Sequence, residues 1–165
     1  MIEKVKAALL ESPENYYHFL TSLANQVEPK LSIELGTNQG ESAFALHVGH
    51  QDGFVMSFDI VDYIHSVYRA NNIGFFNKDS VEASKFIGDG SVDILFVDAL
   101  HDGKSPLAEF YAWRKKLAED CVVLFDDVGS NESMSEFWDS FNPHGFIKVP
   151  NSLHITEGFG IIVRE

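Results

Sequence analysis

The sequence alternates compact apolar runs with amphipathic stretches, and that alternation limits what the chain can fold into. The runs are 31-LSIEL-35, 54-FVMSFD-59, 73-IGFFN-77, 92-VDILFVD-98, 121-CVVLFDD-127, 146-FIKVP-150 and 159-FGIIVRE-165. Apolar strands separated by helix-length segments belong to a mostly parallel sheet covered on both faces. The segments 41–50, 63–71, 81–88 and 106–118 are the expected helices between them. The last two runs are separated only by 151-NSLHITEG-158. That connection is too short for a crossover helix and predicts an antiparallel hairpin. The expected fold is α/β, a Rossmann-like doubly wound sheet of seven strands. The first six are parallel, the last antiparallel, and helices lie on both faces.

Cap signals punctuate the helices. Ser12-Pro13 and Ser105-Pro106 each set an N-cap before a proline at the first helical position. They divide a helix over 2–11 from one over 13–27, and they start the one over 106–118. Ser133 with Glu136 forms a capping box for a further helix. We expect one domain over 1–165, with 1–29 as a helical cap on a core of 30–165.

Charge narrows the partners. With 25 acidic against 12 basic residues the net charge is −13, which repels phosphate backbones and argues against nucleic acid. No stretch reaches the length of an apolar membrane span, and MIEKVKAALLES lacks a signal peptide's apolar core. The single cysteine, Cys121, heads an apolar run and reads as a buried thiol in a cytoplasmic protein.

Ligands of open α/β sheets bind beyond the carboxyl ends of the strands, and here those ends are acidic. Glu34, Asp59, Asp79, Asp98, Asp126 and Asp127 all fall there. One such acid is ordinary solvated rim; so many converging at one end need a cation, donors or water to satisfy them. Within 33-IELGTNQGES-42, Gly36 permits a tight turn and Gly40 lets a helix start close to a bound group. The spacing Gly-x-x-x-Gly puts Asn38 where a dinucleotide fingerprint has glycine, and no G-K-[ST] follows, which excludes a P-loop. Asp59 stands 19 residues after Gly40, at the distance of a ribose-binding acid.

From residue 30 to 165 these features resemble the class I S-adenosylmethionine-dependent methyltransferases. The resemblance implies that Glu34, Gly36, Thr37, Asn38 and Gly40 line the methionine end of the cofactor, with Asp98 nearby. It places Asp59, followed by Ile60, at the ribose, Asp79 at the adenine amine, and Ser80 or Val81 beside the ring. The segments 94-ILFVDALHD-102 and 122-VVLFDDVGS-130 resemble small-molecule O-methyltransferases of the catechol and the sugar- and macrolide-modifying types. Several of those hold Mg²⁺, and the implied ligands are Asp98, Asp126 and Asp127. A catechol-type lysine base has no counterpart, since Lys104 matches poorly.

His101, three residues beyond Asp98, is the candidate general base beside Asp98. The competing reading is a loop histidine that caps a helix or binds Asp126. Tyr16 or Tyr17 is placed over the cofactor mouth, and Asn131 and His154 at the rim where an acceptor enters. The expected function is methyl transfer from S-adenosylmethionine to a small molecule, at a hydroxyl oxygen, with a homodimer as one way to complete the site. The alternatives are a non-catalytic cofactor-binding or scaffolding protein, and an NAD-dependent oxidoreductase, which the absent G-x-G-x-x-G opposes.

Overall fold

Alternation along β4 (Val92–Val97) shows how the sheet is covered. Ile94 and Phe96 enter one apolar core, Leu95 and Val97 the other, and all four are buried. The structure, a computed structural model, describes residues 1–11, 15–141, 146–149 and 158–164. The first core is closed by α1 (Ile2–Glu11), α2 (Tyr16–Val27) and α3 (Glu41–Gly49). The second is closed by α5 (Ser105–Trp113) and α6 (Glu132–Ser140), with Ala83 of the single-turn α4 (Ser80–Ala83). Between them lie β1 (Leu31–Leu35), β2 (Phe54–Asp59), β3 (Ile73–Asn77), β4, β5 (Leu117–Phe125), β6 (Phe146–Val149) and β7 (Gly160–Arg164). Their order in the sheet is β3-β2-β1-β4-β5-β7-β6. The strands β1 to β5 pair in parallel, and β7 is antiparallel to both β5 and β6. This is a Rossmann-like α/β sheet of mixed strand direction with helices on both faces.

Several expected elements differ in detail. No α-helix spans 63–71; only a 3₁₀ turn, Ser66–Tyr68, forms there. The segment is tied instead to the glycine loop, where His65 N donates to the Gln39 carbonyl at 3.0 Å. The helix expected over 81–88 is α4 followed by a 3₁₀ turn, because Ser84 Oγ donates back to the Val81 carbonyl and competes with the helical ladder. The helix expected to reach 118 stops at Trp113, because Lys116 gives its carbonyl to Ser91 N and Val92 N at the start of β4. β5 therefore begins at Leu117 and ends at Phe125, leaving Asp126 and Asp127 beyond it.

The caps also differ. Asp102 Oδ1 accepts from Lys104 N and Ser105 N, so it and not Ser105 caps α5. Asn131 caps α6 by accepting from Met134 N, in place of the Ser133–Glu136 box. Asn15 caps α2 through Tyr17 N and His18 N. Ser12-Pro13 lies outside the described residues, as do 151–157 with His154. Rather than capping the core, α2 is part of it: Phe19, Leu20 and Leu23 are fully buried.

Candidate functional site

The opening of the site is a turn that only glycine can make. Gly36 has φ +99°, and a Cβ there would fall 2.0 Å from the Asp98 carbonyl oxygen. Past this turn, Thr37 N and Asn38 N both donate to Asp59 Oδ2, at 2.9 and 3.0 Å. Asp59 Oδ1 accepts from Val61 N at 3.0 Å. The carboxylate thus gathers the loop after β1 and the loop after β2 onto one side chain. Gly40 N then donates to the Thr37 carbonyl and α3 begins.

Beneath the loop lies a buried polar chain. Ser57 donates to Glu34 Oε2 and shares a hydrogen bond with Thr37 Oγ1. Burial pushes the Glu34 carboxyl up to about 8, although the Ser42 and Ser57 hydroxyls pull the other way.

A cavity of about 560 Å³ opens between these loops and α5, a size that suits a cofactor. Of the residues expected to bind cofactor, Gly36, Asn38, Asp59, Ile60, Asp79, Ser80 and Asp98 line it. Glu34, Thr37 and Gly40 do not; they form the support behind it. Glu34 is wholly buried, and its strand register pairs it with Ser57 inside the sheet.

At the far end Asp79 is exposed and spends Oδ1 on Glu82 N as the cap of α4. Ser80 Oγ donates to Glu109 Oε1 at 2.5 Å. Glu109 lines the cavity, is 3% exposed, and burial pushes its carboxyl up to about 7. No expectation from the sequence included it.

At the near end the ionisable groups cluster. His101 Nε2 lies 3.4 Å from Asp98 Oδ1 and 4.0 Å from Asp127 Oδ2. Asp98, His101 and Asp126 each bring one ligand atom within 4.8 Å of the others. Of the expected trio of Asp98, Asp126 and Asp127, the first two belong to this group, and His101 rather than Asp127 is the third member. The backbone turns left-handed at Asp127, φ 52°, and its carboxylate faces the imidazole. His101 Nε2 and Asp126 Oδ1 are buried without hydrogen-bond partners. Asp98 beside the imidazole holds the His101 pKa above its usual value, against the opposing effect of burial. Burial raises Asp98, and burial together with the Asp98 charge pushes Asp126 up to about 8.

Asn131 is exposed, and its side chain is engaged by its own surroundings. Its Nδ2 donates to the His101 carbonyl at 2.9 Å, pinning that loop to the start of α6. On the other side of the cluster stand two tyrosines of α2. Their rings are 4.0 Å apart. The Tyr17 hydroxyl donates to Glu41 Oε2 at 2.9 Å. The Tyr16 phenol is pushed up by burial and by Tyr17, with the charges of Asp98 and Asp126 adding to the effect.

Comparison with known proteins follows this geometry. Residues 33–128, from β1 to the loop after β5, match the family described as a methyltransferase domain. No curated protein sequence matches significantly. Among solved structures, the cofactor-bound Rv0187 from MTB aligns with a TM-score of 0.75 at 16% identity, covering 98% of this chain and 88% of that one. SAH-bound PaMTH1 of Podospora anserina aligns at 0.73 and 15%, covering 99% and 87%. An O-methyltransferase from Bacillus cereus in complex with SAH aligns at 0.70 and 19%, covering 99% and 88%. The fold shared with these proteins and the match over more than half of its length make this chain a member of the methyltransferase-domain family.

Proposed function

We propose that the protein moves a methyl group from S-adenosylmethionine to a hydroxyl oxygen of a small acceptor. The observation that carries this reading is the lining of one cavity, which brings Asp59, Ser80 and Glu109 together with Asp98 and His101. An S-adenosyl cofactor in it would have its base at Ser80 and Glu109, its ribose at Asp59 and its sulfur near the acid–imidazole cluster. SAH and cofactor bound in structural relatives support the same reading. Bound there, the cofactor supplies an electrophilic methyl group.

The chain's own residues supply alignment and a place for the proton. Asn38 and Asp59 hold the ligand against the loop, so that the acceptor oxygen is positioned for in-line attack. The neutral imidazole of His101 accepts the hydroxyl proton, and Asp98 stabilises the imidazolium that results. With His101 as a ligand in place of a base, the cluster instead fits a divalent cation, which would polarise the acceptor hydroxyl. Its donors are Asp98, His101 and Asp126, and an imidazole among two carboxylates suits Mn²⁺ or Fe²⁺ better than Mg²⁺.

The setting we assign is the cytoplasm, with residues 1–165 as one domain and a homodimer as a candidate assembly. Among the described residues no helix is long and apolar enough to cross a membrane.

Calorimetric titration with S-adenosylhomocysteine tests the reading. Saturable binding is expected, weakened at least about tenfold by Asp59→Ala, because the loop amides lose their acceptor. A wild-type protein that gives neither heat nor a thermal shift at millimolar ligand would remove the proposal.

A further inference from the structure

The base end of the cavity is an apolar slot with one polar edge. Phe58, Ile60, Val81, Leu100 and Ala108 supply apolar surface. The floor is braced from below, where Trp113 Nε1 donates to the Ser80 carbonyl at 2.9 Å and the Trp113 ring lies 5.8 Å from that of Phe58. Into this wall α5 sets Glu109, 97% withdrawn from solvent. Its Oε1 is held by Ser80 Oγ, while its Oε2 is buried and has no hydrogen-bond partner. A buried carboxylate oxygen without a donor is costly to leave so, and a ligand that brings an N–H to it recovers that cost.

Two carboxylates are thus available at this end, and they differ in kind. Asp79 is exposed, and one of its oxygens already caps α4. Water competes for the other at every moment, so it discriminates weakly between ligands. Glu109 is dry, fixed by Ser80 and short of one donor. Hydrogen-bond selectivity comes from such groups, since a ligand lacking the matching donor leaves them unpaired.

We propose that Glu109, and not Asp79, reads the exocyclic amine of an adenine base in this slot, with Ser80 holding its carboxylate in place. The assignment rests on the reading of the cavity as an S-adenosyl cofactor site and adds the residue that selects the base. The amine donates to Oε2, and the apolar walls take the two faces of the ring. The raised pKa of Glu109 agrees with a carboxylate that lacks donors until a ligand provides one.

The test is calorimetric titration of S-adenosylhomocysteine against its 6-oxo counterpart, S-inosylhomocysteine, with wild type, Glu109→Gln, Ser80→Ala and Asp79→Asn. Wild type is expected to prefer the amine at least about tenfold. Glu109→Gln should bring the two ligands within about threefold, because an amide can donate to the oxo group as well as accept. Ser80→Ala should reduce the preference by a smaller factor, and Asp79→Asn should keep it. Equal binding of both ligands by wild type overturns the assignment, as does a preference that survives in Glu109→Gln and Ser80→Ala. Should Glu109→Gln fail to fold, the Ser80→Ala and Asp79→Asn pair still decides which carboxylate selects. Binding of neither ligand by wild type is a different failure: it removes the cofactor reading, and the assignment with it.

Discussion

Gly36 passes directly against Asp98, so close that any side chain on it would occupy the position of the Asp98 carbonyl. The two residues end neighbouring strands, and Asp98 N donates to the Leu35 carbonyl at 2.8 Å. The cofactor loop and the acid cluster are therefore joined through backbone, and a disturbance of one moves the other.

Gly36→Ala should show this. The substitution meets both a positive φ and a backbone clash, so we expect a loss of about 3 kcal/mol or more in stability. Chemical denaturation measures it. A variant of unchanged midpoint would mean that the two backbones separate easily.

The acid cluster predicts a pH profile. Because Asp98 raises the His101 pKa, neutral imidazole accumulates only above the ordinary histidine range. The kcat/KM for methyl transfer should then rise with pH through a value above 6.5. His101→Ala should cost roughly 10²–10⁴ in rate while S-adenosylhomocysteine still binds. Wild-type turnover in that variant would return the proton to Asp98 or to water.

Divalent ions give a separate measurement. If Asp98, His101 and Asp126 take up a cation, Mn²⁺ should raise the Tm of metal-free protein more than Mg²⁺ does, and Asp126→Ala should abolish the effect. Equal melting with and without ions would leave the trio as an ion-paired network.

Stability should depend on pH in an uncommon direction. The folded pKa values of Glu34, about 8, and Glu109, about 7, stand above the ordinary glutamate value of 4.5. Between 4.5 and those values the folded chain holds protons that the unfolded chain has released, so stability falls as pH rises. In the presence of chelator the Tm should therefore be higher at pH 5 than at pH 8. Glu34→Gln should flatten that slope, and a Tm that climbs over this interval would show both acids to be ionised throughout.

The strands and their acidic ends were legible because apolar runs and turn residues record them directly. The depth of each acid was harder to read. Glu34 looked like a cofactor ligand from its place before Gly36, yet it sits opposite Ser57 in the sheet and faces a buried polar chain. The clue was a serine in the middle of the apolar run 54-FVMSFD-59. Glu109 was missed for a related reason. It falls on the stripe of α5 that includes Pro106, Phe110 and Trp113, all buried, so a charge at that position was itself the signal. The turn at 63–71 was misread as helix because local pattern carries no record of the bond from His65 N to Gln39. The partner of Asp98 likewise depends on how the loops after β4 and β5 meet, which spacing does not encode.

The place of β7 has a consequence for how the molecule assembles. It follows β6 in the chain yet lies between β5 and β6 in the sheet, so β6 has no neighbour to join until β7 is present. The outer third of the sheet must enter as a hairpin or be threaded strand by strand, and either route waits on a contact distant in sequence. Until then β5 offers a bare edge, with Val122, Val123 and Leu124 on it, that a second unfolded chain can occupy. Refolding yield should then rise on dilution, which favours hairpin docking over edge-to-edge association.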